Sequence, residues 1–184
     1  MNIFLPFPNN IDKSVRSLDD VRLTKQILEC QTMIDVASGS IGYSNHPIVK
    51  HYTKDPRQIK FVRYYAFKCC KEFEYRFGKK HAYAGKFPRV AYFLGTPQYE
   101  PLYLEGRKPK QLIETDPKEI EALFQQKLTN KWLNDKFVPK WTKRDIPKFF
   151  ADRVSEETFL EHISIYQAVQ IARIIKRKER EKND

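Results

Sequence analysis

Four hydrophilic residues near the start of the chain, Arg22, Lys25, Gln26 and Glu29, recur at the i, i+3, i+4, i+7 spacing that places side chains on one face of a helix. That spacing usually carries a core stripe. Here it carries a guanidinium, an ammonium, an amide and a carboxylate. On the same helical wheel Asp20, Thr24, Gln31 and Asp35 form the opposite, solvent face. Leu23, Ile27 and Ile34 make one apolar flank, and Val21 with Leu28 the other. One reading is an internal ion-pair network, Arg22 or Lys25 with Glu29, beneath a loop. The favoured reading is a cleft that holds an anion beside a general acid/base. His46, in Asn45-His46-Pro47, precedes an expected helix start, where free backbone N–H groups favour an anion. Upstream, Ile3, Phe4, Leu5 and Phe7 with Pro6 and Pro8 read as a rigid, buried segment. A pinned segment of this kind fixes the α-amine, whose ordinary pKa of about 7.7–8.0 leaves part of it unprotonated and nucleophilic at neutral pH.

The elements that must position these groups are helical. A first long helix is expected from about Ser17, as N-cap, to Ala37, ended by Ser38-Gly39. A short one follows Asn45, with Pro47 early in it. Asp55-Pro56 opens another that runs to Phe77 before Gly78, with Ile59, Val62, Ala66, Cys69, Phe73 and Phe77 on one face. Lys79 to Thr115 reads as irregular: Pro88, Pro97, Pro101 and Pro109 break any helix, and Val90–Leu94 is a candidate short strand. Asp116-Pro117 starts a helix through Ile120, Leu123, Phe124 and Leu128, and Ser155-Glu156-Glu157 starts the last, which ends in the charged tail 176–184. The expected fold is mostly α: a compact, single-domain helical bundle over residues 1–184 with a long irregular segment in the middle.

Composition narrows the chemistry. In 184 residues, 34 Lys+Arg against 23 Asp+Glu give a net charge of +11, so the expected partner is an anion, and nucleic acid is the commonest large one. Hydrophobic residues at 41% and aromatics at 14% exclude a disordered chain. With 6 glycines and neither a phosphate-binding nor a dinucleotide-binding glycine motif, those nucleotide folds fall away. No G-x-S-x-G, H-E-x-x-H or C-x-x-C occurs, so no metal and no cofactor is expected. Gly39-Ser40-Ile41-Gly42 matches a short G-x-x-G loop pattern, too brief to carry weight. The odd set of 3 cysteines reads as reduced thiols and a cytoplasmic setting, and no apolar run suits a signal peptide or a membrane.

A second basic stretch, Arg76–Arg89, holds Arg76, Lys79, Lys80, Lys86 and Arg89 with no acidic residue, interleaved with Tyr75, Phe77, Tyr83 and Phe87. Cations among aromatics suit phosphate contact with base stacking; a solvated loop over core aromatics explains them equally well.

Met1–Pro8, Leu18-Asp19-x-x-Arg22-Leu23-x-Lys25-Gln26-x-x-Glu29 and Asn45-His46-Pro47-x-Val49 together resemble the pyrimidine-dimer DNA glycosylase (excision-type endonuclease V) family. The resemblance covers about the first third of the chain and fades beyond Phe77. It implies a mostly α domain that grips duplex DNA and flips a nucleotide. It further implies that the N-terminal amine attacks C1′ to form an imine, followed by β-elimination. Arg22 matches an active-site arginine of the family. The family's glutamate position is Leu23 here, and Glu29, two turns on, is the expected substitute. The amine belongs to Met1, or to Asn2 where Met1 is removed. The expected catalytic set is therefore Met1, Asn2, Arg22, Glu29 and His46. The expected DNA contacts are Arg22, Lys25, Gln26, Asn45, His46, Arg76, Lys79, Lys80, Lys86 and Arg89. The expected function is a DNA N-glycosylase, with or without abasic-site lyase activity, acting on a damaged or modified pyrimidine. A non-catalytic nucleic-acid-binding protein and an enzyme acting on a free modified nucleotide remain as alternatives.

Overall fold

The computed structural model describes residues 2–87, 116–135 and 139–155. Over these the chain forms six α-helices: α1 (Ile11–Ser17), α2 (Asp20–Ala37), α3 (Pro47–Thr53), α4 (Pro56–Phe77), α5 (Pro117–Leu133) and α6 (Lys148–Ser155). A single 3-10 turn occupies Ala84–Lys86, and there is no strand among the described residues. The expected strand at Val90–Leu94, the helix beyond Ser155 and the charged tail lie outside the described residues.

Side chains set the helix starts. Asn10, Asp19, His46, Asp55 and Asp116 each accept a backbone N–H of the first turn that follows. Pro47, Pro56 and Pro117 take the first helical position, where their missing N–H removes nothing. Helix α4 stops at Gly78, whose φ of 65° lies in the left-handed region that suits glycine. These three helices stand where the sequence places them. The first long helix does not. Ser17 ends α1 and spends its hydroxyl on the Ser14 carbonyl (2.7 Å), while Asp19 caps α2 through the Arg22 N–H. An extended Leu18-Asp19 link therefore divides one expected helix into two. Helix α6, over Lys148–Ser155, has no counterpart among the helices expected from the sequence.

The central pair is α2 against α4. They run antiparallel, since Arg76 at the end of α4 reaches Asp20 at the start of α2 (3.1 Å). The opening segment packs into this pair: Ile3 and Leu5 are fully buried, and the Tyr65 hydroxyl donates to the Phe4 carbonyl (2.8 Å). The C-terminal elements cover the α1–α2 junction. Trp132, Trp141 and Phe150 pack ring on ring, and their indoles donate to Asp19 (2.8 Å) and the Ser17 carbonyl (2.8 Å). Burying each such ring contributes about 2–3 kcal/mol. Burial raises the Asp19 carboxyl above its usual range, against the opposing bonds from Trp132 and Arg22.

An ionic cluster closes the same end. Glu72 accepts from Arg76 (2.8 Å) and, through both oxygens, from Arg144 (2.8 Å each). Arg76 also donates to the carbonyls of Leu18 (2.7 Å) and Arg16 (2.9 Å), and Thr142 donates to Asp20 (2.7 Å). Burial alone would raise the Glu72 carboxyl, but the hydrogen bonds from Arg144 and Arg76 outweigh it and hold the carboxyl below the usual range. Cys30, Cys69 and Cys70 are free and buried. No helix among the described residues is long and apolar enough to cross a membrane.

Candidate functional site

Helix α2 presents its faces differently from the helical-wheel expectation. Val21 and Leu28, expected as one of two apolar flanks, are 40% and 43% exposed, whereas Gln31, expected on the solvent face, is buried. Asp20 is drawn into the ionic cluster by Arg76 and Thr142. The helix is rotated so that Lys25 lies between Val21 and Leu28 in solvent, while Gln26 turns fully inward.

The opening segment takes up this inward polarity. The Gln26 amide accepts from the Phe4 N–H (3.0 Å) and donates to the Asn2 carbonyl (2.7 Å). One side chain thus satisfies two backbone groups that burial would otherwise leave unpaired. Gln26 is 1% exposed, so it clamps the N-terminal segment from inside and does not reach the surface as the expected contact would. Glu29, one turn further and half-buried, accepts from the Asn2 N–H (3.0 Å) and from Gln26 (3.1 Å). It pairs with neither Arg22 nor Lys25, so the internal ion-pair reading fails.

Met1 lies outside the described residues. If Met1 is removed, the amine is the Asn2 nitrogen itself, 3.0 Å from the Glu29 carboxylate.

His46 caps α3: its Nδ1 accepts from the Ile48 N–H (3.2 Å), so the neutral ring carries its proton on Nε2. Burial first, and then the positive N-terminus, lower its pKa, with Glu29 opposing. The ring, the N-terminus and Glu29 are thus electrostatic neighbours. Asn45 beside it is exposed.

Arg22 stands one turn before Gln26. Its guanidinium is buried, its Nη2 is paired with Asp135 just past the end of α5, and its Nη1 is buried with no partner among the described residues. A buried, unused guanidinium donor costs about 1–3 kcal/mol unless a ligand takes it. A phosphate or carboxylate oxygen is the group it suits. Asp135 was not found from sequence, because it lies 113 positions from Arg22 and has no local pattern around it.

The second basic stretch divides. Lys79, Lys80 and Lys86 are exposed, and Lys86 lies over the Tyr83 ring (4.9 Å). Arg76 is a correction: it is 1% exposed and its nitrogens are taken by Glu72, Asp20 and two carbonyls, so it is a structural cation. Phe87 is buried, and the exposed Tyr75 ring is covered by Arg144 (4.2 Å). Arg89 lies outside the described residues. No group of three or more residues suited to a metal ion occurs among the described residues.

Asn2, Gln26 and Glu29 therefore form one hydrogen-bonded constellation in the opening segment and α2, with Arg22 one turn before Gln26 on the same helix. Residues 1–83 match the pyrimidine dimer DNA glycosylase family. The match bears out the resemblance seen in the opening segment and first long helix, and it spans α1 through α4. Asp135, Trp132, Trp141 and Arg144, which close over the start of α2, come from beyond the matched part. No curated protein matches the chain, and no solved structure does.

Proposed function

We propose that the protein is a DNA N-glycosylase that extrudes a damaged or modified pyrimidine nucleotide from duplex DNA and attacks its C1′ with the N-terminal amine. The observation that carries this reading is the contact between the Asn2 nitrogen and Glu29, made rigid by the Gln26 clamp. Glycosylase families of this kind act on DNA, and the exposed Lys25, Lys79, Lys80 and Lys86 on a chain of net charge +11 supply phosphate contacts. The Arg22 guanidinium, held by Asp135, sets a buried positive charge one turn from Gln26 that favours the phosphates next to the flipped nucleotide.

The steps follow from the groups at hand. The unprotonated amine bonds to C1′ as the C1′–base bond breaks, and the base leaves with the bonding pair. The amine bonded to C1′ is an ammonium with two protons; Glu29 passes the first to the departing base, which the Nε2–H of the neutral His46 holds by a hydrogen bond. Glu29 then carries the remaining amine proton to the ring oxygen O4′ as the C1′–O4′ bond opens, leaving an imine. Loss of a C2′ proton expels the 3′-phosphate and cuts the strand. Should the amine not engage, Glu29 activates water, and base release occurs without strand cleavage.

Borohydride trapping on duplexes bearing dimers, oxidised pyrimidines or abasic sites tests this. A covalent protein–DNA adduct with base release is the expected result. Base release without an adduct discards the amine as nucleophile and keeps the glycosylase. Neither product on any lesion duplex refutes the reading, leaving plain nucleic-acid binding or action on free nucleotides.

A further inference from the structure

The loop between α2 and α3 carries side chains that folding does not explain. Ile41 is 90% exposed and Tyr43 67% exposed, the largest exposures among the big apolar residues described. A loop that merely connects two helices would hold polar residues at its tip.

This loop is also held in shape. The Ser40 N–H donates to the Asp35 carbonyl (3.0 Å), and Ser44 donates to the Ile41 carbonyl through both its N–H (3.3 Å) and its hydroxyl (2.8 Å). The His46 N–H donates to the Tyr43 carbonyl (2.9 Å). Tyr43 itself adopts a φ of 62°, a left-handed conformation unfavourable to an aromatic residue, where Asn or Gly would sit without strain. Around these two, Gly39, Ser40, Gly42 and Ser44 are small, so another molecule can approach the backbone closely. From Val36 to Lys54 there is no acidic residue, while Lys50 and Lys54 are present. An apolar tip on a cation-bearing, acid-free segment suits a polyanion with apolar interior surfaces, and duplex DNA is that polyanion.

The tip is one turn from the site, through the Tyr43–His46 bond. Extruding a nucleotide leaves a gap in the base stack that must be filled or collapse, at a cost of a few kcal/mol. We infer that Ile41 and Tyr43 form a wedge that enters the duplex beside the extruded nucleotide, Tyr43 stacking on a neighbouring base and Ile41 occupying the vacated space. This rests on the glycosylase reading and adds to it the residues that keep the nucleotide out.

The test is the double variant Ile41→Ser with Tyr43→Asn, the asparagine chosen because it accepts the left-handed backbone. Both positions are exposed, so the melting temperature stays within about 2 °C of the wild type. Base release from a fully paired lesion duplex falls at least about tenfold, because the stack closes against extrusion. It returns to within about threefold of wild type when the nucleotide opposite the lesion is abasic, since pairing no longer opposes extrusion. A 2-aminopurine placed next to the lesion brightens with the wild type and less with the variant. Wild-type base release with an unimpaired variant overturns the wedge alone, and so does an equal loss on paired and unpaired substrates. Failure of the wild type to release base from every lesion duplex overturns the glycosylase reading beneath it.

Discussion

Replacing Glu29 by glutamine separates the chemistry from the fold. The carboxylate accepts two hydrogen bonds, from the Asn2 N–H (3.0 Å) and from Gln26 (3.1 Å). A bond to a charged acceptor contributes about 1.5–3 kcal/mol and one to a neutral acceptor about 0.5–1.5 kcal/mol, so the two together lose roughly 2 kcal/mol. Glu29 is half-buried, and solvent screening reduces that loss to about 1 kcal/mol. For a chain of this length the melting temperature falls about 2–4 °C. The proton transfer suffers far more. Loss of a general acid/base lowers turnover about 10²–10⁴-fold, or roughly 3–5.5 kcal/mol. Single-turnover base release under saturating protein, measured beside a thermal melt and a DNA-binding isotherm, reads all three quantities. The expected pattern is a turnover collapse, a small melting shift and an affinity within about threefold of wild type. Turnover within threefold of wild type would show that Glu29 carries no proton. A melting shift above about 10 °C would show that it is chiefly a strut for the N-terminal segment.

Replacing Glu72 by glutamine leaves Arg76 with Asp20 and a weaker, neutral partner and costs about 2–3 kcal/mol in a denaturant titration. Because the Glu72 carboxyl titrates below its usual range, its contribution is complete above about pH 4.3 and is lost as pH falls through the lower folded value. The variant therefore loses part of the acid-side decline in stability. Neutralising Lys79 and Lys80 together lowers the slope of log affinity against log salt by about 1.8, read from filter binding at several salt concentrations. Asp135→Asn loosens the Arg22 guanidinium and slows base release about 10–100-fold with an unchanged salt slope, and Asp135→Glu restores part of the rate.

Much of the helical framework was legible because its signals are local. His46-Pro47, Asp55-Pro56 and Asp116-Pro117 place a capping side chain directly before a proline, and each starts a helix. The polar stripe on α2 was legible as an anomaly, and its inner members Gln26 and Glu29 do meet the N-terminal segment. Its rotation was not legible. Whether Val21 or Gln31 faces water depends on what covers the start of α2, and that is Trp132, Trp141 and Thr142, more than a hundred positions away. The same distance hid Asp135 as the partner of Arg22. Arg76 misled for the converse reason. It belongs to a cationic run, yet two carbonyls and the Asp20 carboxylate from other elements enclose it together with Glu72 one turn back on its own helix, and composition records charge without burial.

The buried thiols have a practical consequence. Burial raises the Cys30 and Cys69 thiols well above their ordinary range and the Cys70 thiol to about 12, so at neutral pH none offers a thiolate to a maleimide or an iodoacetamide. The folded protein therefore gives a silent background for site-specific labelling. A cysteine introduced at an exposed position such as Ile41 would take a fluorophore or spin label alone, and the three native sulfurs would report only on chains that have opened.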